Sequence, residues 1–158
     1  MGNSAGMDDH TDSGRGLTWT DKFLVGYGPM DEVHREFVTL VNAMLTCPGS
    51  AMLENLQAFA RHAERHFAEE LRMMEKSGFP ATQCHADEHA AVARSVAEVL
   101  QLVEAGRTDI GLELALELAR WFPAHADYMD ASLAHWLVKK EYGGAPVVLR
   151  RRTEARQG

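Results

Sequence analysis

Four long stretches of helical periodicity, cut apart by short breaker clusters, constrain this 158-residue chain more than any other feature. The breakers are Cys47-Pro48-Gly49, Gly78-Phe79-Pro80 and Gly106, with Gly143-Gly144 closing the last stretch. Pro29 suits the first turn of a helix over about 29–46, in which Val33, Phe37, Leu40, Val41 and Met44 recur along one stripe. Ser50 is placed to cap a second helix over about 51–77, and Gly78 to end it. A third helix follows Pro80 over about 82–105. Thr108 or Asp109 is placed to cap a fourth, over about 109–141. No stretch shows the alternation and turn chemistry of paired strands. Long helices on short links predict an all-α fold, an up-down-up-down antiparallel four-helix bundle. Each helix must bury an apolar stripe, because packing supplies most of the stability of a helix this size. Residues 17–28 lack a clean period but carry Trp19, Phe23, Leu24, Val25 and Tyr27, and are expected to lie as an N-terminal arm over the bundle. Residues 1–16 read as a flexible leader, 17–142 as the bundle domain and 143–158 as a basic tail.

Composition narrows the class of function. The length fits one domain, and 46% hydrophobic with 25% charged residues gives a real core under a solvated surface. No apolar run approaches the ~20 residues of a membrane span, so the chain is not expected to be membrane-embedded. The polar opening stretch carries no secretory signal pattern. A net charge of −7 argues against a nucleic-acid partner, with Arg150-Arg151-Arg152 as a solvated cluster. Cys47 and Cys84 make no disulfide framework and fit free thiols in a reducing compartment. The expectation is a cytoplasmic monomer.

Eight histidines are the unusual number, and their placement carries the chemistry. The first helix holds His34, the second His66 with Glu70, the third His85 with His89, the fourth His125 with Asp130. Residues four apart on an α-helix differ by roughly 40° in azimuth and 6 Å in rise, so each i, i+4 pair aims two donors at one volume. One such pair is weak; donors on four consecutive helices, beside Phe37, Val41, Phe67, Met74, Val92, Val96, Trp121 and Phe122, are not. Ionisable groups aimed into a core cost several kcal/mol each unless paired or ligated, and metal accounts for them most simply. Five imidazoles and two carboxylates also count out well. If both carboxylates and one solvent oxygen bridge two ions, the ion with three imidazoles is six-coordinate and its neighbour five-coordinate, with one open position. Imidazole with carboxylate suits iron better than the usually tetrahedral zinc. The Glu-x-x-His motif of ferritin-like diiron proteins is absent.

Two spacings need separate treatment. His125 and Asp130 are five apart, about 140° on a straight helix, and Pro123 sits just before them. A π-type turn or kink between Pro123 and Asp130 is therefore expected to bring both inward. His62 lies one turn before His66 and offers a rival His62/His66 pair; it reads either as a donor or gate behind the ligands or as a partly exposed histidine. His10 and His135 read as surface residues, Met73-Met74 as packing. Glu69 and Glu88 read first as solvated, with the option of orienting a ligand imidazole.

The stretches MDEVH around His34, HFAEE around His66 and Glu70, HADEH around His85 and His89, and WFPAHADYMD around His125 and Asp130 resemble the hemerythrin family, above all its single-domain bacteriohemerythrins. The resemblance covers about residues 17–140 and fills all seven ligand positions. It implies a non-haem diiron centre: two iron ions (Fe2+/Fe3+), a bridging oxo or hydroxo group, and O2 as reversible ligand. His85, His89 and His125 would hold the saturated iron, His34 and His66 the iron with the open position, and Glu70 and Asp130 would bridge. Phe37, Phe67, Trp121 and Phe122 would keep the O2 pocket dry. Ala126 stands where a branched aliphatic is common in the family, and His62 where Tyr is frequent. The implied role is oxygen transport, storage or delivery by a binding protein rather than an enzyme. O2 or redox sensing, peroxide or nitric oxide turnover, and an iron reservoir are the alternatives.

Overall fold

The computed structural model describes residues 17–142. Within them the chain forms α1 (Gly28–Thr46), α2 (Met52–Ser77), α3 (Thr82–Glu104), α4 (Thr108–His125) and α5 (Ala131–Tyr142). A π-helical turn, Ala126–Asp130, joins α4 to α5, so the two serve as one fourth arm. The links 47–51, 78–81 and 105–107 are too short to cross the bundle, so successive helices run antiparallel. α1 packs on α2, α2 on α3, α3 on α4 and α4 back on α1, which closes the expected four-helix bundle. The leader 1–16 and the tail 143–158, with His10 and Gly143-Gly144, lie outside the described residues.

Local chemistry explains the boundaries. Pro29 occupies the first turn of α1, where its missing N–H costs nothing. Gly78 ends α2 in the left-handed region at φ 68, and its N–H turns back to the Met74 and Glu75 carbonyls. The expected caps do not form. Ser50 lies in a 3-10 turn, Gly49–Ala51, and α2 starts without a side-chain cap, because the Ala51 N–H bonds the Pro48 carbonyl at 2.9 Å. Thr108 is already inside α4, and Asp109 lies in its first turn, paired with Arg107 at 3.1 Å.

The core divides into two apolar layers. Phe37, Val41 and Met44 of α1, Leu56 and Phe59 of α2, Val96 and Val103 of α3, and Leu114, Leu118 and Phe122 of α4 form the larger one. Met30, Met74, Leu133 and Ala134 form the smaller. Along three of the arms the metal-type residues fall between the two: His34 between Met30 and Phe37, His66 and Glu70 between Phe59 and Met74, His125 and Asp130 between Phe122 and Leu133. Gly111 lets α4 close on its neighbours, since a Cβ there would stand 2.6 Å from Met52 Cγ and 3.3 Å from Val103 Cγ2.

The arm lies on the bundle as expected. The Leu17 N–H donates to Asn42 Oδ1 at 2.8 Å, and Asn42 Nδ2 donates back to the Leu17 carbonyl. Trp19 lies under the Arg35 guanidinium at 5.0 Å, and Phe23 meets Phe122 edge-on at 5.3 Å. The Val25 N–H donates to the buried Asp31 carboxylate at 2.7 Å. Among the described residues no helix is long and apolar enough to cross a membrane.

Candidate metal centre

All seven sequence-predicted donors are buried, none above 5% exposed, and they come from all four arms of the bundle. α1 supplies His34, α2 His66 and Glu70, α3 His85 and His89. His125 ends α4, and Asp130 ends the π-turn. There the Ala131 N–H reaches back five residues to the Ala126 carbonyl. That wider turn brings residues five apart toward one face, which a straight α-helix would not do. The π-turn expected from the His125/Asp130 spacing is therefore present.

The donors form two groups that share a carboxylate. Glu70, His85, His89, His125 and Asp130 converge in one, and His34, His66 and Glu70 in the other. Each carboxylate divides its two oxygens between them. Asp130 Oδ1 lies 3.1 Å from both His85 Nε2 and His125 Nε2, while Oδ2 lies 3.0 Å from His34 Nε2. Glu70 Oε2 lies 3.2 Å from His85 Nε2 and 3.4 Å from His89 Nε2, while Oε1 lies 2.8 Å from His66 Nε2. His89 Nε2 and His125 Nε2 face each other at 3.1 Å.

Apart from the His66–Glu70 and His89–His125 contacts, these separations are not hydrogen bonds. His34 Nε2, His85 Nε2, Glu70 Oε2 and both Asp130 oxygens are buried without a hydrogen-bond partner, although other donors lie within reach. Orphaned polar atoms of this kind cost ~1–3 kcal/mol each if nothing satisfies them. Two ligands ~2.1 Å from one ion and at right angles stand about 3.0 Å apart, close to the spacing seen here. The chemistry of the set, imidazole with carboxylate, is that of a transition-metal site, and the cluster fits a pair of such ions.

Electrostatics without metal are balanced by protons. Burial alone would lower His34 and His85, but the Asp130 and Glu70 carboxylates outweigh it and hold both at about 9. Burial and the Asp130 charge would raise Glu70, yet His34, His66 and His85 keep it well below the usual carboxylate range. Asp130 is likewise held low, against burial, by His125, His34 and His85. His89 is pushed down to about 3, chiefly by burial. Two carboxylates thus face two imidazolium groups at neutral pH, protons that a metal must displace.

The aromatic residues expected around an O2 pocket separate into two sets. Phe67 stacks on His89 at 4.0 Å and Trp121 on His125 at 4.2 Å, so both buttress the three-imidazole group. Phe37 stacks on Phe122 at 4.6 Å, and Phe122 meets His34 edge-on at 5.5 Å. Ala126 is buried in the same apolar cluster. His62 is not partly exposed but buried. It lies 5.5 Å from His66 by ring centroid, with Nδ1 3.6 Å from Glu36 Oε2 and no hydrogen bond on either nitrogen. Burial and then the His66 charge push it down to about 4. A cleft of about 400 Å³ between α1 and α2, lined by Met30, Val33, Met73 and Arg72, reaches the side chains of His66 and Glu70. Glu69 lines that cleft half-buried, and His135 is exposed.

Reading Glu88 first as solvated is corrected. Its Oε1 accepts hydrogen bonds from Trp121 Nε1 at 2.8 Å and His125 Nδ1 at 2.9 Å. The sequence signal was its place directly before His89; its partners lie 33 and 37 residues away, beyond what periodicity reveals.

Comparison with known proteins agrees with this geometry. A family model described as the hemerythrin HHE cation-binding domain matches residues 25–137. The chain is similar to a bacteriohemerythrin of Ralstonia nicotianae, 35% identical over 124 residues that cover 78% of this chain and 90% of that one. It is also similar to bacteriohemerythrins of Stenotrophomonas maltophilia and Pseudomonas aeruginosa, each 29% identical over 140 residues, 81% of this chain and 91% of theirs. With a cation-binding domain spanning most of its length and a buried His/Glu/Asp cluster at the expected level of the bundle, this chain belongs to the hemerythrin family.

Proposed function

We propose that this chain binds O2 reversibly at two iron ions held by His34, His66, Glu70, His85, His89, His125 and Asp130, for oxygen transport, storage or delivery. The observation that carries the reading is the division of the Glu70 and Asp130 oxygens between a three-imidazole group and a two-imidazole group. That division suits two ions bridged by both carboxylates, with the His34/His66 side short of donors and so able to accept a ligand. Relatives to which the chain is similar carry the name bacteriohemerythrin.

Iron, when bound, supplies the electrons that O2 takes up and that no side chain here provides. The protein's own residues do the rest. Phe122, 1% exposed and stacked on the equally buried Phe37, walls His34 on one side, while the cleft between α1 and α2 reaches His66 and Glu70 on the other helix. A dry apolar wall favours a small neutral ligand and slows proton-assisted loss of the electrons. Phe67 and Trp121 hold the His89 and His125 rings in place by stacking. His62, buried behind His66, is the polar group available beside the pocket. A donor set dominated by neutral imidazole stabilises high-valent iron poorly, which favours binding over oxygen insertion.

The test is spectroscopic. Protein loaded anaerobically with ferrous iron is cycled between O2 and argon while the ultraviolet–visible spectrum is followed. Absorption that appears and disappears over repeated cycles supports carriage. Irreversible oxidation in the first cycle, or sustained peroxide consumption, overturns it in favour of turnover.

A further inference from the structure

Glu88 lies outside the donor set, yet it is the carboxylate through which that set meets the protein surface. Its side chain is 32% exposed, while the His125 side chain it holds is 2% exposed. The indole N–H of Trp121 can only donate and a carboxylate oxygen can only accept, so Oε1 is the acceptor in both of its bonds. The His125 nitrogen facing it, Nδ1, must therefore carry the proton. That turns Nε2 toward the donor set as the nitrogen free to ligate once metal displaces any proton on it. Nε2 is the atom lying 3.1 Å from Asp130 Oδ1 and 3.1 Å from His89 Nε2. The Trp121 indole, with its plane 24° from that of the imidazole, fixes the ring against rotation. On three of the other four candidate ligand histidines the outer nitrogen is handled differently: Nδ1 of His34, His66 and His85 is buried with no partner.

We propose that Glu88 is a positioning residue that locks His125 in the Nδ1–H form and strengthens its Nε2 as a donor. The three-imidazole ion thereby becomes the more electron-rich of the two. A carboxylate behind a ligating imidazole fixes its tautomer and raises its basicity. Because that carboxylate lies on one side only, the two ions are made unequal by more than their imidazole count. Trp121 shares the same oxygen, so stacking and hydrogen bonding orient His125 together. The inference rests on the donor set being a metal centre and does not depend on which gas binds there.

The test begins with metal-free protein. Nitrogen-15 correlation spectra of the imidazoles are expected to show His125 protonated at Nδ1 in the wild type and in Glu88→Gln, whose amide oxygen still accepts. Glu88→Ala is expected to move the population toward Nε2–H. In iron-loaded protein, Glu88→Ala is expected to surrender metal to a chelator about 10–100-fold faster than wild type. Glu88→Gln is expected to retain metal but to show a raised midpoint potential, since the charge is gone while the bond remains. A purely structural role would lower melting temperature without altering tautomer or potential. Wild-type tautomer and wild-type metal release in Glu88→Ala, with an unchanged potential in Glu88→Gln, overturn the proposal. If Glu88→Ala does not fold, Glu88→Gln and Trp121→Phe decide it, through the potential of the first and faster metal release in the second. Reversible O2 binding that fails while these shifts occur refutes the gas reading alone.

Discussion

Filling the centre should expel protons, and the number is set by His34 and His85. Both are held at about 9 in the metal-free protein by the carboxylates beside them. At pH 8 each is about 90% protonated and the pair carries about 1.8 protons; at pH 10 the pair carries about 0.2. Metal must remove whatever is bound, because a ligating nitrogen needs its lone pair. Proton release on loading should therefore fall by about 1.6 per chain between pH 8 and pH 10. A bridging solvent molecule losing a proton adds the same count at both values and cancels. Imidazoles at their ordinary value of 6.5 would already be neutral at pH 8 and would give no change across the interval. The assay is calorimetric titration of metal-free protein with cobalt from a weak chelator, in buffers of different ionisation enthalpy. A pH-independent release refutes the charge balance described for the cluster. The same argument fixes a sign for stability. With folded values above unfolded ones, His34 and His85 stabilise the metal-free fold below about 6.5 and lose that contribution as pH rises through about 9.

Three further outcomes follow from packing. Phe37, 1% exposed and in ring contact with Phe59 and Phe122, should cost about 3–5 kcal/mol when cut to Ala, read by denaturant unfolding of the metal-free protein. Gly111→Ala places a methyl against Met52 and should cost about 1–3 kcal/mol, and the double variant Gly111→Ala/Met52→Ala should lose less than the two single variants summed; an unchanged midpoint contradicts the close approach. Ala126→Ile should slow both O2 exchange and autoxidation in stopped-flow measurements, since the added branch fills space in the cluster beside His34; equal rates reject Ala126 as a pocket wall.

The fold was legible in this sequence wherever one residue's own stereochemistry settles the backbone. Pro29 and Gly78 mark helix ends because a fixed φ and a left-handed φ leave few alternatives. The convergence of the seven candidate residues was legible because metal-type residues recur at helical spacing on every arm, and because the five-residue His125–Asp130 interval makes sense only with a widened turn. Caps were not. Ser50 and Asp109 had local competitors, a 3-10 turn and an arginine, that residue type does not reveal. The roles of Glu88, Phe67 and Trp121 depend on which helices are neighbours and at what height they meet, a tertiary fact with no one-dimensional trace. His62 shows the same limit: its i, i+4 relation to His66 is visible, but its burial against Phe37 comes from the α1–α2 packing.

An anomalous difference map from crystals of the iron-loaded protein tests the central claim most directly. Two peaks per chain are expected, each touched by one oxygen of Glu70 and one of Asp130, with His85, His89 and His125 on the first and His34 and His66 on the second. One peak, or two peaks with either carboxylate turned away from both, contradicts it.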